Sequence, residues 1–161
     1  MNILMVCLGN ICRSPLAQGI LEAKIAEKHL PWTVDSAGTG SWHAGDPPDP
    51  RSVAIARKYG LDISGQRARQ VRSVDFEAFD LIVAMDASNY NDLQRMALDE
   101  TEKAKIKMML NFTEPGKNRG VPDPYWDDDG FDKVYHMLNE ACEHLIRQIG
   151  EENEQIGEPG R

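Results

Sequence analysis

The sequence predicts an α/β fold, a three-layer sandwich in which a four-stranded parallel sheet carries helices on both faces. Two observations lead there. The runs Ile3-Leu4-Met5-Val6 and Leu81-Ile82-Val83-Ala84-Met85 are apolar without alternation, as strands covered on both faces are. Strand-like runs also alternate with helical patterns along the chain, which favours parallel strands joined by crossover helices. With 161 residues and no internal repeat, the chain reads as one domain.

In order, Ile3 to Val6 is the first strand and Cys7 to Arg13 a glycine-containing loop. Ser14-Pro15 starts a helix, with Ser14 as N-cap and Pro15 in the first helical position. Leu16, Ile20, Leu21 and Ile25 give that helix an apolar stripe as far as about His29. Trp32 to Ser36 is the second strand, Gly38 to Pro50 a long loop, and Ser52 to Tyr59 a helix. Asp80 to Met85 is the third strand, Ala87 to Leu98 a helix, and Lys105 to Phe112 the fourth strand. Thr113 to Asp129 is a second long loop. The last helix runs from about Phe131 to Ile149, with Val134, Leu138, Ala141, Cys142, Leu145 and Ile149 on one face. The domain therefore occupies residues 1–150, and the acidic residues 151–161 are expected to be a disordered tail. Right-handed crossovers bring every strand to end on one edge of the sheet, where ligands of such folds bind. The loops after Val6, Ser36, Met85 and Phe112 meet there.

Composition narrows the function. A formal charge of −8 disfavours nucleic acid or an anionic membrane as partner, and an anionic substrate would need a local positive site. Neither apolar run is long enough to span a bilayer. Met1-Asn2 leads straight into a strand with no signal-like segment, so the expected compartment is the cytoplasm. Three cysteines, an odd count, argue against a disulfide framework. Without a C-x-x-C pair or a histidine cluster, neither a metal nor a cofactor is expected. A monomer is the default.

Chemistry concentrates in Cys7-Leu8-Gly9-Asn10-Ile11-Cys12-Arg13-Ser14-Pro15. A lone cysteine at a strand end is often buried filler. Here five residues separate it from an arginine, between a buried strand and a helix start. In that setting loop amides and the helix dipole converge on an anion, and Arg13 offers a planar fork for two phosphate oxygens. The same field favours an ionised Cys7, a nucleophile able to attack phosphorus and form a phosphocysteine. Gly9 and Asn10 suit positive backbone dihedrals, Asn10 is placed to brace the loop, and Ser14 is near enough to donate to the Cys7 sulfur.

This segment resembles the signature loop of the low-molecular-weight protein tyrosine phosphatases, C-x-G-N-[IV]-C-R-S-P. The likeness extends from Asn2 to about Ile149 through Asp35-Ser36-Ala37-Gly38, Gly45-Asp46-Pro47-Pro48-Asp49, Ala68-Arg69-Gln70, Ala84-Met85-Asp86 and Asp123-Pro124-Tyr125. The family has its four strands in the order 2-1-3-4. The resemblance implies hydrolysis of phosphotyrosine in a protein substrate, in bacterial members often a tyrosine kinase. Catalysis would fall to Cys7, to Arg13 on the phosphate, and to Asp123 as general acid and then base. Leu8, Gly9, Asn10, Ile11, Cys12 and Ser14 would complete the phosphate loop, with Trp42 and Tyr125 as cleft walls. It further implies that Cys12 forms a reversible disulfide with Cys7 under peroxide. Trp126 stands where the family often has a second tyrosine, and Gln66 where many members have histidine. A related fold, the thioredoxin-coupled arsenate reductase, needs relay cysteines that Asp86 to Asn91 does not contain. A non-catalytic phosphate-binding module would have no use for Cys7 and Asp123 together.

Overall fold

The computed structural model describes residues 1–127 and 129–157, with side chains as far as 152. Its strands are β1 (Asn2–Cys7), β2 (Thr33–Gly38), β3 (Leu81–Ala84) and β4 (Ile106–Met108). They form one parallel sheet in the order β2-β1-β3-β4. The helices are α1 (Arg13–Glu27), α2 (Pro50–Lys58), α3 (Asp75–Ala78), α4 (Ala87–Met96), α5 (Glu100–Ala104) and α6 (Gly130–Gly157).

The unbroken apolar strands have the expected cause. Ile3, Met5, Leu81 and Val83 pack against α1 and α6 through Leu16, Ile20, Leu21, Leu138 and Leu145. Leu4, Val6, Ile82 and Ala84 pack on the opposite face with Phe76 of α3 and Leu93 of α4. Each central strand thus buries both of its sides, and the sandwich has two apolar layers. Among the described residues no helix is long and apolar enough to cross a membrane.

Four expectations need correction. The fourth strand stops at Met108, and Met109–Phe112 is a 3-10 turn whose Met109, Leu110 and Phe112 are buried in the α1–α6 layer. An apolar run cannot distinguish that from a strand, since both bury it. The first helix begins at Arg13 with Cys12 at the cap position, so Ser14 is inside the first turn and makes no cap bond. Pro15 is tolerated there because first-turn amides have no partner within the helix. The last helix continues to Gly157, through seven of the residues assigned to the tail. Glu151, Glu152, Glu154 and Gln155 are good helix formers, so the helix runs on through the acidic stretch. The final four residues lie outside the described residues. Finally, α3 and α5 were not expected; Asp99 caps α5 by accepting from Glu102 N–H at 2.8 Å.

Candidate active site

Cys7 ends β1, and the next residues curl back to the start of α1. The curl requires Asn10 to adopt a positive φ of 57°. Asparagine tolerates this because its side chain bonds locally. Gly9 is not among the positive-φ glycines; its value is space, since a Cβ there would stand 3.1 Å from the His43 ring. Loop carbonyls are fixed from outside. Those of Cys7, Leu8 and Ile11 accept from the amides of Thr39, Gly40 and Asp49, and that of Cys12 accepts from the Ser52 hydroxyl.

The side chain of Asn10 faces inward, away from the cavity. Its Nδ2 donates to Ser14 Oγ at 2.8 Å and to Ser36 Oγ at 3.0 Å, and its Oδ1 accepts from Arg69 N–H. Arg69 is held in turn by Asp35 of β2 and Asp75 of α3. Ser14 Oγ lies 3.0 Å from Cys7 Sγ, and Asn10 N–H donates to the same sulfur at 3.3 Å. Because Asn10 already donates to Ser14 Oγ, the Ser14 proton is directed at the sulfur. Cys7 itself is 3% exposed, so these contacts matter more than they would in water.

Arg13 is equally buried. Its Nη1 donates to Asp86 Oδ2 at 2.7 Å and to the Val121 carbonyl at 2.9 Å, while Nη2 lies 3.8 Å from Asp123 Oδ2. Burial works against its charge, but Cys7, Asp86 and Asp123 outweigh it and hold the guanidinium proton more firmly than usual. Asp86 reaches the site from the end of β3, and its other oxygen caps α4 through Asn89 N–H. Burial first, then Asp49, Cys7 and Asp123, push the Cys12 thiol up to about 12, so it stays protonated at neutral pH. Cys142 is core, as expected, and burial pushes it up to about 12 as well.

Over this floor opens a cavity of about 270 Å³. Cys7, Cys12 and Arg13 line it with Asp123, and its apolar walls are Leu8, Ile11, Trp42, Tyr125 and Trp126. The Trp42 ring lies so close over Gly40 that a Cβ there would sit 1.9 Å from it, so the close approach requires glycine. Tyr125 and Trp126 stack edge to face at 4.7 Å. Asp123 accepts from Tyr125 N–H at 3.1 Å, which fixes one carboxyl oxygen on the loop.

The structure therefore brings Cys7, Arg13 and Asp123 together with Leu8, Gly9, Ile11, Cys12, Trp42 and Tyr125. Asn10 and Ser14 are not lining residues but hold the loop and the sulfur from behind. Sequence reasoning placed Trp126 and His43 near the cleft but assigned no role to either, nor to Asp86. Asp86 had a signal, since it closes a quoted motif; His43, a lone loop histidine paired with Asp46, had none. Among the described residues no group of three or more His, Cys, Asp or Glu side chains is arranged to hold a metal ion.

Comparisons with known proteins relate the chain as a whole to one family. Residues 2–155 match the family model described as low molecular weight phosphotyrosine protein phosphatase. A putative low molecular weight protein-tyrosine-phosphatase of Synechocystis is 43% identical, over 94% of this chain and 98% of its own. The crystal structure of a protein tyrosine phosphatase from Entamoeba histolytica superposes with a TM-score of 0.89 at 40% identity, covering 95% of this chain and 99% of that one. A Drosophila protein named arginine phosphatase superposes with a TM-score of 0.86 at 34% identity, covering 92% and 98%.

Proposed function

Because the chain belongs to the low molecular weight phosphotyrosine protein phosphatase family, we propose that it hydrolyses phosphotyrosine in proteins through a phosphocysteine on Cys7. The observation that carries this reading is a nucleophilic sulfur and a buried guanidinium on one cavity floor, with a carboxylate beside them. The outward commitment of four loop carbonyls leaves the loop amides as the dipoles available to phosphate oxygens. Arg13 adds a charged fork, already aligned by Asp86.

In the first step Cys7 Sγ attacks phosphorus and the P–O bond to the tyrosine ring breaks. Asp123 gives its proton to the departing phenol oxygen. In the second step water attacks phosphorus and loses a proton to the Asp123 carboxylate. The S–P bond breaks, releasing inorganic phosphate and restoring the Cys7 thiolate, which Ser14 and Asn10 N–H receive. The apolar walls favour a flat aryl ester over the short, polar serine and threonine esters.

The experiment is a panel of phosphopeptides bearing phosphotyrosine, phosphoserine, phosphothreonine and, given the Drosophila neighbour, phosphoarginine. Phosphotyrosine should be turned over fastest, with activity unchanged by EDTA and abolished by Cys7→Ser. Preference for another phosphoresidue would overturn the substrate class, and residual turnover in Cys7→Ser the mechanism.

Cys12 shares the floor with Cys7, and both are free thiols. We infer a protective role. Peroxide would oxidise Cys7 to the sulfenic acid, and the Cys12 thiol would displace water from it to form a disulfide. Peptide mapping after peroxide should find the Cys7–Cys12 bridge in the wild type and irreversible Cys7 oxidation in Cys12→Ser. A sulfinic Cys7 without a bridge in the wild type would dismiss that role.

A further inference from the structure

We propose that Arg51 is a positioning residue for the proton-transfer step, tying the loop that carries Asp123 to the loop that carries Cys7; this rests on Asp123 being the general acid. Arg51 is the second residue of α2. Its Nε and Nη2 donate to the two oxygens of Asp49 at 3.0 and 2.9 Å, and its backbone N–H donates to Oδ1 at 2.8 Å. Asp49 is 9% exposed, and its own N–H donates to the Ile11 carbonyl at 2.8 Å. One residue beyond Arg51, the Ser52 hydroxyl donates to the Cys12 carbonyl. The start of α2 is thus fastened to the nucleophile loop at two points.

The same guanidinium lies over two rings. Its carbon is 5.5 Å from the centre of Tyr125 and 4.8 Å from that of Phe131. Tyr125 lies in the 3-10 turn Pro124–Trp126 that follows Asp123, Phe131 lies in the first turn of α6, and Tyr125 N–H holds Asp123 Oδ1. One planar cation therefore links a carboxylate anchored to the Cys7 loop with the aromatic supports of the acid loop. Arginine suits both tasks, because its fork matches a carboxylate and its flat face matches a ring. Lysine would keep the charge and lose both geometries. Protonation of the leaving oxygen requires the carboxyl within hydrogen-bond reach, and a misplacement of about 1 Å costs on the order of a hundredfold.

The test compares kcat/KM for aryl phosphates of rising phenol basicity in the wild type, Arg51→Met, Arg51→Lys and Asp123→Asn. A good leaving group such as dinitrophenol needs no proton, whereas phenol does. Arg51→Met should leave dinitrophenyl phosphate nearly unchanged and lose about tenfold or more on phenyl phosphate. Arg51→Lys should tilt the series in the same direction by less, and it carries the test if the methionine variant fails to fold. Asp123→Asn should tilt it most. A loss uniform across the series in either Arg51 variant, or no loss on phenyl phosphate, overturns the positioning role. A flat series in Asp123→Asn overturns instead the acid assignment on which it rests.

Discussion

Ser14 has two demands on one hydroxyl, and Asn10 decides between them. A serine in the first turn of a helix ordinarily serves the backbone. Here its oxygen accepts from Asn10 Nδ2, and its proton is left for the Cys7 sulfur, 3.0 Å away. A hydrogen bond to a charged group contributes about 1.5–3 kcal/mol. If that contact is made chiefly to the thiolate leaving group of the second step, Ser14→Ala should lower kcat by roughly 10- to 100-fold with little change in KM. An unchanged kcat, measured by steady-state turnover of an aryl phosphate, would separate Ser14 from catalysis. The legibility of the site divides along sequence distance. Cys7, Arg13 and Ser14 are neighbours in one loop, so their shared purpose shows in their spacing. Asp86 grips Arg13 from 73 residues away, and in the sequence it shows only as the end of the Ala84-Met85-Asp86 motif, with nothing to tie it to Arg13. Nothing local in the sequence singles out Arg51, because the two aromatic rings beside it are brought there by the fold.

At the scale of elements, two of the boundaries that moved are those where one apolar or acidic run serves two conformations. Met109 to Phe112 is apolar whether strand or 3-10 turn, and Glu151 to Gly157 is polar whether tail or helix. The buried strands β1 and β3 were legible because burial on both sides leaves no room for polar alternation. The start of α2 carries a measurable consequence. The Arg51 side chain, against the cost of burial and with help from its own backbone N–H, holds the Asp49 carboxyl below the ordinary carboxylate range. Its folded value is therefore lower than its unfolded value of about 3.9. The stabilisation it contributes is present above that unfolded value and is lost as pH falls through the folded one. Urea melts from neutral pH down to about pH 3 should show a shallower acid loss of stability in Arg51→Met than in the wild type. Other depressed carboxylates, Asp132 and Glu143 among them, contribute equally to both proteins and cancel. Parallel slopes would mean that Asp49 gains nothing from Arg51.

For the whole molecule, a net charge of −8 sets the terms on which an anion can bind. The average field repels phosphate, so affinity must arise from the cradle of loop amides and Arg13 alone. That convergence was legible from topology, since parallel strands with right-handed crossovers deliver four loops to one edge. The cavity walls were legible only in part, because exposed aromatics such as Trp126, at 84%, look the same on any loop. An anion that binds the folded chain and not the unfolded one raises stability by mass action, by about 2.7 kcal/mol at a hundred times its Kd. For a chain of this size that corresponds to roughly 5–10 °C in Tm. Inorganic phosphate or vanadate, titrated at constant ionic strength with sulfonate buffers kept out of the cavity, should therefore raise the Tm of the wild type. Arg13→Ala, compared with its own baseline, should lose most of that shift, whereas Lys107→Ala, on an exposed strand position away from the cavity, should keep it. Equal shifts in both variants would mean that the anion is held by general surface charge, and the cradle would not be the source of affinity.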